Sequence, residues 1–197
     1  MDPKTPLLPR RALASWLTAP LIAALGGAEA VAQALPATPS CGADSRPTQA
    51  QTEGPYFKPR SPERASLIEP SVAGTKLVLV GFVLTTGCRP VANALLDFWQ
   101  ADGRGAYDNQ GFRLRGHQYA DAQGRYRLET VMPGEYPGRT PHIHVKVQPP
   151  GGRILTTQLY FPDQPRNARD GIFRPELLMA LADAPGGKSG RFDFVLG

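Results

Sequence analysis

The sequence predicts an all-β fold, a β-sandwich of mostly antiparallel strands with long loops and one short C-terminal helix. Three observations predict it. Apolar residues fall in runs of strand length, some with strict alternation. The 197 residues include 21 Gly and 21 Pro, a density of turn formers that suits many connections. Only residues 175–182 read as a helix, with Pro175 at the first turn.

In chain order, residues 76–84 are a nearly continuous run of Val and Leu between Gly74 and Thr85-Thr86-Gly87, the pattern of a buried strand. Residues 91–99 read as the next strand. Residues 124–131 place Tyr126 and Leu128 on one face, behind the turn Asp121-Ala122-Gln123-Gly124. Residues 142–147 alternate strictly, with His142, His144 and Lys146 on one face and Ile143, Val145 and Val147 on the other, which is the core face. Residues 154–161 follow the turn Pro149-Pro150-Gly151-Gly152 as a fifth strand, and residues 192–196 close the chain as a sixth.

Ahead of the strands, Arg10 and Arg11 precede an apolar stretch over residues 12–25, followed by small-residue cleavage points such as Ala28-Glu29-Ala30. Residues 1–34 therefore read as a signal peptide, whose paired arginines resemble the twin-arginine type, and the mature protein is expected to be periplasmic or secreted. The stretch contains Pro20 and falls short of the roughly 20 apolar residues of a membrane span, so no membrane association is expected in the mature form. Residues 35–51, rich in Pro, Ser, Thr, Ala and Gln, read as a linker or extended arm, and residues 52–197 as one folded domain. Cys41 and Cys88 are the only cysteines, and export into an oxidising compartment makes a disulfide between them the expectation.

The formal charge of +5 is spread over Lys and Arg that never form a block, which argues against a nucleic-acid partner. Such a field would draw small anionic aromatics.

Chemistry concentrates around the fourth strand. His142 and His144, at i and i+2, aim both imidazoles to one side, a compact way to present two metal ligands. Alone, His-x-His fits a solvated or hydrogen-bonded structural pair equally well. The loop Pro133-Gly134-Glu135-Tyr136-Pro137-Gly138-Arg139 delivers a Tyr and an Arg beside it, and a Gly-rich loop after Trp99 delivers Tyr107.

With these pieces in order the sequence resembles the intradiol ring-cleavage dioxygenases, the family of protocatechuate 3,4-dioxygenase and catechol 1,2-dioxygenase. The matching segments are Thr52-Glu53-Gly54-Pro55-Tyr56-Phe57, Asp97-Phe98-Trp99-Gln100 with Tyr107, Pro133-Gly134-x-Tyr136, Arg139, His142-Ile143-His144 and Thr157-Gln158-Leu159-Tyr160-Phe161. The resemblance implies Fe(III) held by Tyr107, Tyr136, His142 and His144, with a small aromatic diol and O2 as substrates. The ring would open between the hydroxyl-bearing carbons to a muconate-type diacid, in aromatic compound catabolism. Tyr136 would be the tyrosinate released when substrate binds, Arg139 would stabilise charge on the substrate, Gln158 would hold a metal-bound ligand, and Tyr56 would line the pocket. Homo-oligomers are expected by the same analogy. The lack of a long helical leading region is closer to the protocatechuate-type members, and the signal peptide and cysteines to exported ones. His117 falls outside the ligand motif and reads as structural or as a pocket edge. Two rival readings use the same residues: a non-catalytic secreted β-sandwich binding module, and a copper or zinc site on His142, His144 and His117. Neither uses Tyr107, Tyr136 and Arg139.

Overall fold

In a computed structural model of the chain, which describes Cys41 and residues 46–197, nine strands form two sheets. The strands are β1 (Lys76–Thr85), β2 (Leu95–Gln100), β3 (Arg115–Tyr119), β4 (Arg125–Val131), β5 (His142–Gln148), β6 (Leu155–Tyr160), β7 (Ala180–Ala184), β8 (Gly187–Arg191) and β9 (Phe194–Leu196). The first sheet runs β4-β1-β8-β7 with β9 also on β1, and the second runs β3-β2-β5-β6. Pairing is antiparallel except where β1 meets β8 and β9. No helix among the described residues is long and apolar enough to cross a membrane.

Alternation decides which residues meet between the sheets. Leu77, Leu79 and Val83 of β1 and Leu128 of β4 face Leu96, Phe98, Ile143, Val145, Val147 and Leu159 of the second sheet, all fully buried. Each such side chain contributes about 1.5–3 kcal/mol of burial. Tyr126 joins this core because its hydroxyl donates to the Phe192 carbonyl at 2.7 Å.

The other face of the second sheet carries polar side chains in register. Trp99 of β2, His144 of β5 and Gln158 of β6 are cross-strand partners, as are His142 and Tyr160. That face is covered by the leading segment. Thr48 N–H donates to the Val195 carbonyl (2.8 Å) and Gln51 N–H to the Thr156 carbonyl (2.8 Å), so the segment runs along the edge of β6 before crossing β5. Lys146 Nζ lies 2.5 Å from Glu53 Oε2 and over the Phe57 ring, fastening the crossing. Cys41 and Cys88 form a disulfide.

The helix expected over residues 175–182 is not formed. A 3-10 turn covers Pro175–Leu177, Leu178 is already extended, and Ala180–Ala184 is strand β7. Ala184-Pro185-Gly186-Gly187 makes a two-residue turn, with Gly186 at φ +76, that pairs β7 with β8. Sheet pairing overrides the helical preference of Ala and Leu here. Strands β3, β7 and β8 add to the six expected.

Candidate metal centre

Tyr107, Tyr136, His142 and His144 come from three separate places and converge. His142 and His144 stand on β5, both buried. Tyr107 sits on a loop braced from within: Asp102 Oδ1 accepts the N–H groups of Arg104 and Ala106, and Asp108 accepts those of Gln110, Gly111 and Arg113. The Gly111 and Arg113 amides hold the Asp108 carboxyl down to about 2. Gly105, at φ +83, lets this loop touch the next one: a Cβ there would lie 2.0 Å from the Glu135 carbonyl oxygen, beside Tyr136. The leading segment approaches the imidazoles through Gly54, whose added Cβ would meet His144 Cε1 at 3.4 Å.

The ring centroids are 4.6 Å apart for His142 and His144, 5.7 Å for Tyr136 and His142, 6.3 Å for Tyr107 and His144, and 5.6 Å for the two tyrosines. The His142 Nδ1–H donates to the Thr140 carbonyl at 2.7 Å, which leaves Nε2 bare. That Nε2 faces His144 Nε2 at 3.0 Å. Burial, and then the nearby Arg139 charge, lower the pKa of His142 to about 4. Burial and the His142 charge push His144 well below its usual value. Both are therefore neutral donors at physiological pH.

Tyr107 is the complement. Its hydroxyl is buried with no hydrogen-bond partner, and burial, followed by the adjacent Tyr136, raises its pKa far above that of a free phenol. Only a neighbouring cation would make it a phenolate. Two neutral imidazoles, one orphaned phenol and a second phenol beside them fit a ferric ion, for which phenolate oxygen is a suitable hard donor. Among the described residues no group of three or more His, Cys, Asp or Glu could hold a metal, so a metal at this place has to draw on tyrosine. His117 stays outside: its Nδ1 contacts Ser61 O at 2.8 Å, under the leading segment. A copper or zinc site using all three histidines is thus not assembled.

Arg139 lies beside the cluster. Its Nε donates to Asp170 Oδ2 (2.9 Å), one terminal nitrogen lies 3.4 Å from the Tyr136 hydroxyl, and the other donates to Gln158 Oε1 (2.5 Å). Burial disfavours its charge, but the Asp170 carboxylate outweighs this and raises its pKa. Gln158 is also held by Thr52 O (2.9 Å) and by the Tyr160 hydroxyl (3.0 Å). Tyr56 stacks on Tyr107 and meets Tyr136 edge-on at 5.9 Å. Sequence reasoning left Trp99, Thr140 and Asp170 without roles. Trp99 stacks on His144 at 4.8 Å, which its register to His144 across β2 and β5 explains once the pairing is known.

A cavity of about 370 Å³ lined by Arg125, Arg127, Arg191 and Tyr119, among others, shares no residue with this cluster. Donor chemistry rather than concavity identifies the centre.

The chain is similar to known dioxygenases over most of its described length. A family model described as Dioxygenase matches residues 52–196. The protocatechuate 3,4-dioxygenase beta chain of Burkholderia cepacia is 38% identical over 119 residues, 51% of this chain and 51% of its own length. The chlorocatechol 1,2-dioxygenase of Pseudomonas sp. strain P51 is 31% identical over 180 residues, 77% of this chain and 70% of its own. This chain spans about half the length of the first curated relatives it matches, 51% and 52%. Among solved structures, the dioxygenase domain of a dioxygenase carbohydrate-binding protein fusion from the cellulolytic bacterium Streptomyces sp. SirexAA-E is 56% identical, with TM-score 0.75 over 77% of this chain and 98% of that one. The 3-chlorocatechol 1,2-dioxygenase of Rhodococcus opacus 1CP is 30% identical, with TM-score 0.71 over 78% and 74%.

Proposed function

This chain belongs to the intradiol ring-cleavage dioxygenase family, and from that premise we propose that it opens a catechol-type ring with O2, using Fe(III) held by Tyr107, Tyr136, His142 and His144. The observation that carries the reading is the meeting of two neutral imidazoles, Nε2 to Nε2 at 3.0 Å, beside a buried phenol whose hydroxyl has no hydrogen-bond partner. When bound, ferric iron would act as a Lewis acid toward the substrate's two oxygens and prepare the ring for O2.

The protein groups divide the remaining work. His142 and His144 are fixed by strand register and by the Thr140 carbonyl, and Trp99 packs on the His144 face. Tyr107 lies under Tyr56 and stays in place. Tyr136, on a loop and next to the Arg139 guanidinium, would serve the metal as a phenolate and is the ligand that gives way, its phenolate oxygen taking a substrate proton to become the neutral phenol. Arg139 then faces the negative charge of the bound diolate, already oriented by Asp170 and Gln158, so it stabilises that charge without reorganisation. Gln158 orients ligands at the cluster through its carboxamide, which Thr52 and Tyr160 hold.

We place the protein in the periplasm or outside the cell, a reading that the Cys41–Cys88 disulfide supports. Its test is the amino-terminal sequence and location of the natural protein, which should lack residues 1–34.

The deciding experiment is the visible spectrum and metal content of purified protein, before and after anaerobic addition of catechol, protocatechuate or hydroxyquinol. One iron per chain, a red-brown tyrosinate band that shifts with a diol, and O2 uptake on aeration are expected. A protein that stays colourless after Fe(III) reconstitution would sink the reading.

A further inference from the structure

The carboxylate of Asp170 has a side-chain exposure of 1% and lies outside the proposed ligand set, yet three groups converge on it. Arg139 Nε and the Thr140 N–H reach Oδ2 at 2.9 and 3.0 Å, and the Ile172 N–H reaches Oδ1 at 3.1 Å. The 3-10 turn Pro165–Arg169 sets its place, since the Asp170 N–H donates to the Arg166 carbonyl at 3.0 Å. The same turn grips Thr140 a second time: Thr140 Oγ1 donates to Asn167 Oδ1 at 2.7 Å, and Asn167 Nδ2 donates to the Phe161 carbonyl at 2.9 Å.

What this grip controls is the residue Thr140, held by its N–H and by its hydroxyl. Its carbonyl accepts the His142 Nδ1–H at 2.7 Å, a bond that selects the His142 tautomer with a bare Nε2. Through Arg139 the same carboxylate aims a guanidinium whose far nitrogens reach Tyr136 and Gln158. We infer that Asp170 is the positioning residue of the centre: a single buried carboxylate sets the imidazole of His142, through Thr140, and the plane of Arg139, directly.

A loop fastener would explain the ion pair but not why its two oxygens serve Arg139, Thr140 and the segment end together. Burying a carboxylate is costly unless it is paired and hydrogen-bonded, and here Arg139, the Thr140 N–H and the Ile172 N–H supply the donors. Partners behind metal-binding histidines hold ring orientation, and their loss weakens metal binding by about 10–100-fold.

The inference leans on the iron reading for iron affinity and turnover, and stands apart from it in the third measurement. Wild type and Asp170→Asn are compared by Fe(III) affinity in competition with a chelator, by kcat and KM, and by the imidazole nitrogen NMR spectrum of the metal-free protein at neutral pH. Asp170→Asn should bind iron about 10–100-fold more weakly, lose kcat more than KM, and show His142 as a mixture of tautomers where wild type shows one. Wild-type tautomer and iron affinity in the variant, with only a lower melting temperature, would reduce Asp170 to a fastener and overturn the inference. Should wild type bind no iron, the proposed function falls while the tautomer comparison still decides this point. Asp170→Glu, which displaces the charge by one methylene, carries the same readouts where Asp170→Asn does not fold.

Discussion

Tyr56 lies face to face with Tyr107, 4.2 Å between ring centroids and 16° between planes, so a residue of the leading segment is the outer cover of a buried phenol. The contact joins two parts of the chain that share no strand, and it is held because Arg115 donates to the Tyr56 carbonyl from β3. The Tyr107 hydroxyl is buried without a partner, whereas the Tyr136 hydroxyl has the Arg139 guanidinium beside it.

Replacing that cover tests its role. Tyr56→Ala should lose about 1 kcal/mol of stability, the usual worth of an aromatic pair beyond its area. Iron content should stay near wild type while KM rises more than kcat falls. A KM unchanged for every diol tried would remove Tyr56 from the pocket wall.

Tyr107 should show opposite effects on stability and function. A buried hydroxyl without a partner costs about 1–3 kcal/mol, and deleting it recovers part of that. The metal-free Tyr107→Phe protein should therefore melt about 2–4 °C higher than metal-free wild type, for a gain on the order of 1 kcal/mol. It should also fail to develop the tyrosinate band with Fe(III). Calorimetry of both metal-free proteins and a reconstitution spectrum check this, and a lower melting temperature would show that the hydroxyl has a partner in solution.

Arg139→Ala removes a guanidinium whose partner, Asp170, is fully enclosed. The abandoned carboxylate should cost about 3–5 kcal/mol. Turnover should fall by about a hundredfold or more, on the scale of losing one preorganised donor to developing charge, while some iron remains bound. Arg139→Lys should not recover it, because a point charge cannot reach Asp170, Gln158 and Tyr136 at once. Near-normal kcat in either variant would take Arg139 out of the reaction.

The parts of this structure that follow period two were readable in the sequence. His142, His144 and the apolar trio Ile143, Val145 and Val147 alternate as β5 does, and the Val and Leu run of β1 is a strand that buries Leu77, Leu79 and Val83 fully while Val78, Val80 and Phe82 on its other face are half-buried. The Arg115-Gly116-His117-Gln118-Tyr119 and Gly187-Lys188-Ser189-Gly190-Arg191 segments carry no such signal, since their partners β2, β1 and β7 supply the apolar surface. The proposed ligands were legible from motif order, but what holds them was not. Asp170 acts on residues 31 and 30 positions earlier through a loop without periodicity, and only the folded backbone brings it to Arg139 and Thr140.

The same carboxylate predicts an acid limb. Burial raises the Asp170 pKa, but the Thr140 amide, Arg139 and the Ile172 amide outweigh it, leaving a net lowering. A carboxyl whose folded pKa is depressed stabilises the fold fully above its unfolded value of about 3.9 and loses that stabilisation as pH falls through the folded value. Melting temperatures of the metal-free protein between pH 5 and 2 should drop more steeply for wild type than for Asp170→Asn. Parallel curves would mean that the Asp170 pKa is the same in the folded and unfolded states.

Reduction of the disulfide should reach the centre from a distance. Cys41 and Cys88 are 47 residues apart, and closing a loop of that length is worth about 4 kcal/mol on the chain-entropy account. The chain that follows Cys41 pairs with β9 at Thr48 and with β6 at Gln51, then supplies the Thr52 carbonyl to Gln158 and the Tyr56 ring to Tyr107. Its anchor at Cys88 lies at the end of β1, so freeing it loosens one end of the segment that roofs the imidazoles. Cys88→Ser should lower the melting temperature and raise KM for the diol, with iron content reduced less than in His144→Ala. The comparison is a thermal melt and a kinetic assay with and without reductant. A reductant-insensitive KM in wild type would show that the pairing at Thr48 and Gln51 alone is enough to hold Tyr56 over the site.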